Sequence, residues 1–205
     1  MDKNNNFEQR VKHSMEASIA TKQALLQSAE IVTMVAKVSE IMIAALKGGN
    51  KIMLFGNGGS AGDAQHIAAE LVGRFAFDRP PLPALALSVN SSCVTAIGND
   101  YGYDLVFSRQ LEALARPGDV AIGISTSGNS PNVVQALEAA KKMKVHAVGM
   151  TGRAGGKLVC AAEHCIRVPS DETPRIQESH ILIGHILSEL VEQEIFHDKG
   201  RVSRS

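Results

Sequence analysis

The sequence has no excess of charge of either sign. Its 205 residues include 21 Lys or Arg and 21 Asp or Glu, so the formal net charge at pH 7 is zero. Domains that bind nucleic acid usually carry a basic surface, which this balance does not indicate. The hydrophobic fraction of 44% is typical of a globular chain and argues against a disordered one. We therefore expect a folded protein without a nucleic-acid partner.

Cysteine is scarce, and no apolar run is long enough to cross a bilayer. The three cysteines, an odd number in a chain of this length, argue against a disulfide scaffold and for a reducing compartment. The longest apolar stretch, residues 31–46, contains Lys37 and Glu40, whereas a membrane span needs about 20 apolar residues. The polar N-terminus lacks the apolar core of a signal peptide. These absences predict a cytoplasmic protein without membrane association.

Two patterns of apolar residues divide the chain. Residues 7–47 have apolar side chains at three- and four-residue spacing, which predicts a helical region ending at Gly48 and Gly49. Its weakly polar faces suggest contact with a partner subunit, or with the chain's own core. From residue 51, short apolar runs predict strands at 52–55, 84–88, 120–124, 145–150 and 164–168. Helices are predicted between and after them, at 60–73, 90–113 in pieces, 131–143, 156–161 and 174–196. This alternation predicts an α/β three-layer sandwich, with a five-stranded parallel sheet flanked by helices.

Two polar loops follow predicted strands. The glycine loop, residues 56–62, reads Gly-Asn-Gly-Gly-Ser-Ala-Gly, and the serine loop, residues 125–130, reads Ser-Thr-Ser-Gly-Asn-Ser. Each precedes a helix, whose free N–H groups favour an anion, and each is also compatible with a simple turn before a capped helix. The glycine loop fits a permissive dinucleotide pattern, but the next strand ends without the acid that holds a ribose. We therefore predict a phosphorylated small molecule as the ligand.

Four side chains on two predicted helices are candidates for chemistry. His66 and Glu70 are four residues apart and share one helix face. Gln177 and His185 are eight residues apart, about 12 Å along a helix axis. Those two could meet at one ion, or serve different faces or subunits. By spacing alone, all four could be ordinary polar helix residues.

Together these motifs resemble those of the phosphoheptose isomerases, a family with the sugar isomerase (SIS) domain. The resemblance covers nearly the whole chain to about residue 196. It is carried by the glycine loop, Asp63-Ala64-Gln65-His66, Glu70, Gly98-Asn99-Asp100, the serine loop, Arg175-Ile176-Gln177-Glu178, His180 and His185. It implies conversion of D-sedoheptulose 7-phosphate into D-glycero-D-manno-heptose 7-phosphate, the first step towards activated heptose for lipopolysaccharide or other surface glycans. It also implies a homotetramer with active sites at subunit interfaces. We accordingly divide the chain into an N-terminal helical segment packing in the oligomer (1–50), a SIS domain (51–197) and a polar tail (198–205).

The resemblance also implies roles for individual residues. One Zn²⁺ per subunit would be held by His66, Glu70, Gln177 and His185. Substrate contacts are implied for Asn57, Gly58, Gly59, Asn99, Asp100, Ser125, Thr126, Ser127, Ser130 and Gln177, with Ser60 and Arg74 as further sugar or phosphate contacts. For isomerisation through an enediol we assign the base to Glu70 and proton transfer between oxygens to His185. A zinc-bound carboxylate is a poorer base, so either the coordination of Glu70 loosens during turnover or the metal is partly structural.

Four other functions are compatible with this domain. A related non-catalytic tetramer binds the replication initiator DnaA, but it lacks the full His/Glu/His set retained here. Isomerases of arabinose 5-phosphate usually carry additional regulatory domains, and hexulose phosphate isomerases form a further class. A sugar-phosphate-sensing transcription regulator would need a DNA-binding domain, for which the balanced charge gives little support. We therefore favour the phosphoheptose isomerase reaction.

Overall fold

The computed structural model describes residues 3–196, with side chains from residue 6 onwards. Its N-terminal region consists of two helices, α1 (Lys3–Gln27) and α2 (Ala29–Lys47), where the sequence indicated one helical stretch. The break occurs at Ser28, whose backbone is extended. Its side-chain hydroxyl caps α2 by accepting a hydrogen bond from the Ile31 amide (3.4 Å). The predicted polar tail lies outside the described residues.

A single parallel sheet forms the centre of the fold, as predicted. Its strands are β1 (Ile52–Gly56), β2 (Ala84–Ala86), β3 (Val120–Ile124), β4 (His146–Thr151) and β5 (His164–Arg167). They lie in the order β2-β1-β3-β4-β5, and every neighbouring pair is parallel. The five apolar runs of the sequence therefore mark the five strands, and β2 is two residues shorter than expected.

Helices cover both faces of the sheet. The remaining helices are α3 (Gly59–Val72), α4 (Ser91–Tyr101), α5 (Ser108–Leu114), α6 (Pro131–Lys142), α7 (Leu158–Ala161) and α8 (Thr173–Ile195). Alternate strand residues enter two separate cores: Leu54 packs with α2, α3 and α8, whereas Phe55 packs with α5, α6 and α7. This is the predicted three-layer sandwich. None of the described helices is long and apolar enough to cross a membrane.

The two N-terminal helices differ in how they pack. Val38 and Met42 of α2 are fully buried in the core beside the sheet. In contrast, α1 adds Leu25 to this core near its C-terminal end and contacts α8 through polar groups, including a 2.7 Å hydrogen bond from Ser18 Oγ to Glu178 Oε2. Its exposed apolar side chains, at four-residue spacing, are Phe7, Val11, Met15 and Ile19. Thus α2 completes the chain's own core, while α1 leaves an apolar stripe uncovered.

The order of the strands places the two polar loops side by side. The chain runs from β1 to β2 on one side and later returns to β3 on the other side of β1. In parallel α/β sheets, the cleft at such a reversal is where ligands bind, outside the carboxyl ends of the strands. The glycine loop follows β1 and the serine loop follows β3, so both border this cleft.

Candidate active site

A reciprocal amide pair joins the glycine loop to the helix that follows the serine loop. The Asn57 and Asn132 side chains exchange two hydrogen bonds, of 2.9 and 3.0 Å. Asn132 is buried at the start of α6, and Tyr103 Oη also donates to Asn57 Oδ1 (3.3 Å). Because both ends of the Asn57 amide are engaged, its side chain is held in one orientation at the cleft.

The glycine loop turns sharply into α3. Gly58 precedes the helix with a φ of +54°, a conformation that glycine adopts readily. The buried Ser60 donates its amide to the Asn57 carbonyl (3.0 Å). The first turn of α3 thus begins at the cleft, so the positive end of its helix dipole favours an anion there.

The serine loop packs against the segment that follows β4. Gly128, with a φ of +67°, packs directly against Gly155, where a Cβ would collide with the Gly155 carbonyl. Ser125 and Ser130 share a 2.9 Å hydrogen bond between their hydroxyls. Pro131 begins α6 as expected, but the Ser130 hydroxyl contacts Ser125 instead of capping the helix. The loop is therefore a preformed cradle.

Asn99 and Asp100 lie at the exposed end of α4 and contact each other (2.7 Å between Asn99 Nδ2 and Asp100 Oδ1). Tyr103, shortly beyond them, reaches the glycine loop through its bond to Asn57. This places the end of α4 near the cleft. The helix itself contains no buried residue.

The structure brings together His66, Glu70 and His185 from two helices. His66 Nε2 lies 2.9 Å from His185 Nε2 and 3.2 Å from Glu70 Oε1. One ligand atom from each of the three residues lies within 4.8 Å of the others. The predicted pair on α3 is therefore joined by a histidine 119 residues away in sequence.

Two imidazole nitrogens and a carboxylate form a donor set that suits zinc. Catalytic zinc sites commonly have three protein ligands and an open position, and two histidines with one glutamate are among the known sets. Neutral imidazole is also a common ligand of other transition metals. The nitrogen and oxygen donors of these three residues are therefore of the kind that binds a divalent cation.

This cluster depends on close packing between α3 and α8. The two helices run in the same direction, with Gln177 against Gly59, Gly184 against Ile67, and His185 against His66. A Cβ at Gly184 would lie 2.5 Å from Ile67 Cδ1 and 2.6 Å from Ile67 Cγ1. Glycine at this position lets the helices approach closely enough for the histidines to meet.

Other residues of the motifs lie away from the cluster. The Gln177 amide is at the glycine loop against Gly59, seven residues or about 10 Å along α3 from His66. Its role as a fourth ligand remains a prediction. His180 is fully buried, and burial, only partly offset by its contact with the Thr151 carbonyl, lowers its pKa to about 4. Arg74 is exposed just beyond α3, beside Phe75, whose ring centroid lies 5.9 Å from that of His185.

Several residues that support the site were not identified from the sequence. Asn132 and Tyr103 orient Asn57, and Arg79 and Glu192 form a buried ion pair beside the cluster. Asp63, which belongs to the motif before His66, is half-buried on α3, and burial raises its pKa despite the opposing effect of His66. Nothing in the sequence distinguishes Glu192 from the other acidic and amide residues near the end of α8, such as Glu189, Gln193 and Glu194.

Comparison with known proteins identifies the family. The SIS domain family matches residues 13–152, more than half of the chain. The chain belongs to the SIS domain family. Among SIS proteins, it is 53% identical over 188 residues to a phosphoheptose isomerase of Sulfurimonas denitrificans, covering 92% of this chain and 96% of the relative. It is 55% identical over 189 residues to that of Aneurinibacillus thermoaerophilus, with the same coverage.

Solved structures of phosphoheptose isomerases have a similar fold. A phosphoheptose isomerase from Neisseria gonorrhoeae superimposes with a TM-score of 0.86 at 43% identity, covering 91% of this chain and 99% of that one. A phosphoheptose isomerase from Francisella tularensis gives a TM-score of 0.86 at 34% identity, with 90% and 97% coverage. The sequence resemblance and the predicted α/β sandwich are confirmed.

The helix contact at Gly184 yields a testable prediction. Gly184→Ala should lower the free energy of unfolding by about 1–3 kcal/mol, because the methyl group overpacks the contact with Ile67. Urea denaturation would measure it. The matched control is Gly62→Ala on α3, where a Cβ meets no atom within 4 Å. That change should be neutral or stabilising by up to about 1 kcal/mol, since alanine favours helix. Equal stability of both variants would contradict the proposed close contact.

Proposed function

We propose that this protein is an aldose–ketose isomerase that converts D-sedoheptulose 7-phosphate into D-glycero-D-manno-heptose 7-phosphate. The observation that carries the proposal is that α3 begins at a two-loop cleft and also bears His66 and Glu70, which meet His185. Relatives that cover nearly the whole chain are named phosphoheptose isomerases, which supports the same reaction. The product would begin the synthesis of activated heptose for lipopolysaccharide or another surface glycan. All three cysteines are free, which fits a reducing compartment such as the cytoplasm.

The two loops are suited to the phosphate and the hydroxyl groups of the sugar. The N-terminal ends of α3 and α6 favour an anion through their helix dipoles, and Thr126, Ser127 and Ser130 add hydroxyls. The other proposed contacts line the glycine loop and the end of α4, with Arg74 beyond α3. They are Asn57, Gly58, Gly59, Ser60, Asn99, Asp100, Ser125 and Gln177. Binding through a rigid cradle would fix the reacting carbons without ordering the loops at each turnover.

Glu70 and His185 can divide the proton transfers between them. The Glu70 carboxylate would take a proton from C1 of the ketose, giving an enediol, and return it to C2. His185 would move a proton from the oxygen on C1 to the oxygen on C2, because imidazole donates and accepts near neutral pH. No proton is gained or lost overall. The aldehyde forms at C1 and a hydroxyl forms at C2.

We propose that His66, Glu70 and His185 hold one Zn²⁺ per subunit, with Gln177 as a further ligand. A bound divalent cation supplies positive charge that polarises a carbonyl and stabilises a developing oxyanion. His66 would act only as a ligand. Glu70 would be both a ligand of the cation and the base.

Removal of the metal tests both the reaction and the cation. Turnover of sedoheptulose 7-phosphate should be lost after thorough chelation and restored by Zn²⁺. The measurement is product formation by chromatography, with untreated protein as the control. Full activity after chelation would contradict a catalytic metal while keeping the isomerase. No turnover in any state would contradict the isomerase and favour the non-catalytic alternative that binds a replication initiator.

Replacement of the proposed base gives a second prediction. Glu70→Gln should keep the fold but lower kcat by at least about 100-fold, because an amide cannot accept the carbon-bound proton. Exchange of the substrate's C1 proton with deuterated solvent, followed by NMR, should stop as well. Glu112→Gln is the matched control, an exposed glutamate on α5. Near-normal exchange by the Glu70 variant would rule out the assignment of the base.

We also propose that the chain assembles as a homotetramer, with residues 1–50 packing in the oligomer and active sites at subunit interfaces. The uncovered apolar stripe on α1 supports this, because large exposed apolar patches usually mark interfaces. A cavity of about 300 Å³ next to it is lined mainly by apolar residues of α1, α2 and α8, among them Leu26, Val32 and Leu190. A second copy offers the same apolar surfaces and would cover both.

The assembly can be tested through the α1 stripe. Light scattering should give a mass of four chains for the unmodified protein, whose chain mass is 21.8 kDa. The double variant Val11→Glu with Met15→Glu should form smaller species, because it places charges in the interface. Lys12→Glu, an exposed change on the same helix, should leave the mass unchanged. An unaltered mass for the double variant would exclude this surface as the interface.

A further inference from the structure

A buried ion pair lies next to the histidine–glutamate cluster. Arg79 Nε donates to Glu192 Oε2 at 2.8 Å, and the two side chains are 0% and 1% exposed. Burying two charges has a large desolvation cost, and apolar replacements of such pairs are often as stable. Stability alone is therefore a weak explanation for this pair, and its contacts indicate what else it does.

Arg79 holds the end of α3. Its guanidinium donates to the carbonyls of Glu70 (2.8 Å) and Leu71 (2.7 Å). These carbonyls belong to the last turn of the helix, where carbonyls have no partner within the helix. Arg79 thereby fixes the backbone of Glu70, a member of the cluster.

Glu192 holds the segment that leaves α3. It accepts hydrogen bonds from the amides of Phe75 (2.8 Å), Ala76 (2.7 Å) and Phe77 (3.3 Å). Burial would raise the pKa of Glu192, but the hydrogen bonds from these amides and from Arg79 outweigh it and lower the pKa. The carboxylate is thus charged at neutral pH. Phe75, fixed by the first of these bonds, places its ring 5.9 Å from the His185 ring.

The pair also links the two helices that carry the cluster. Glu192 lies seven residues after His185 on α8, which is about two turns along the same helix face. Arg79 reaches from Glu192 to the backbone of Glu70 on α3. The relative position of α3 and α8 at the cluster is therefore set at two places: at Gly184 and at this pair.

We propose that Arg79 and Glu192 are positioning residues for the cation-binding cluster. Arg79 holds Glu70 through its backbone, and Glu192 holds His185 through Phe75. The inference rests on the proposed function, in which His66, Glu70 and His185 bind a divalent cation. The affinity for this cation would therefore depend on Arg79 and Glu192, although neither residue supplies a ligand atom.

The chain contains a second buried carboxylate that serves as a matched control. Asp119 is 1% exposed and accepts hydrogen bonds from the amides of Lys51 (3.0 Å) and Arg116 (2.7 Å). It also pairs with Lys51 Nζ (2.5 Å). It precedes β3, at the end of the sheet opposite the cleft. Its loss should destabilise the fold without affecting the cluster.

The experiment compares the Zn²⁺ affinity of metal-stripped, full-length variants by competition with a chromophoric chelator. Glu192→Gln should weaken affinity about 10- to 100-fold, the usual effect of removing an outer partner of a metal site. Asp119→Asn should stay within about twofold of the unmodified protein, although both variants lower Tm. Arg79→Lys retains the charge but loses the paired bonds to carbonyls, and it should give a smaller loss. It provides the test if Glu192→Gln does not fold.

The outcomes separate this inference from the proposed function. Unchanged affinity in the folded Glu192 or Arg79 variant, or an equal loss in Asp119→Asn, would overturn the positioning role. Absence of zinc binding by the unmodified protein would overturn it as well. Zinc binding without turnover of sedoheptulose 7-phosphate would refute only the proposed reaction, because the affinities of the variants still decide the role of the pair.

Discussion

The close approach of α3 and α8 at Gly184 is the contact on which the candidate site depends. It places His185 beside His66, residues that are far apart in sequence and are not joined by any strand pairing. The same two helices carry Glu70 and Glu192, so the positions of the cluster and of its supporting ion pair both depend on how α3 and α8 pack. A side chain in place of Gly184 would move both sets of contacts together. Protein cores resist such shifts because they are closely packed.

The parallel sheet supplies the second constraint. Because β2 and β3 lie on opposite sides of β1, the loops after β1 and β3 border one cleft. The Asn57–Asn132 pair then joins the glycine loop to α6, the helix that follows the serine loop. In contrast, α4 buries no side chain, although it carries Asn99 and Asp100. The sheet therefore fixes the glycine loop and the serine loop, whereas the part of the site on α4 has few contacts of its own with the core.

Much of the fold could be predicted because its strands are short, continuous apolar runs. All five runs became strands, since a strand buried on both faces has little place for polar residues. The division at Ser28 was missed because apolar spacing continues on both sides of it, and serine is common both within helices and as a cap. Arg79 was missed for a different reason. It lies in the segment between α3 and β2, and only the folded chain shows that its partners are helix carbonyls and a carboxylate on α8.

The sequence by itself determined the elements, the two polar loops and the pairing of His66 with Glu70, because these follow from spacing along one segment. Spacing also made Gln177 and His185 candidates, and the resemblance gave these four residues their roles. Only the tertiary structure decided that His185 joins His66 and Glu70, whereas Gln177 lies against Gly59. The physical reason is that local periodicity fixes the face of a helix on which a residue lies. Which other residues that face meets is decided by packing between helices. Here Gly184 has no side chain to keep α3 and α8 apart.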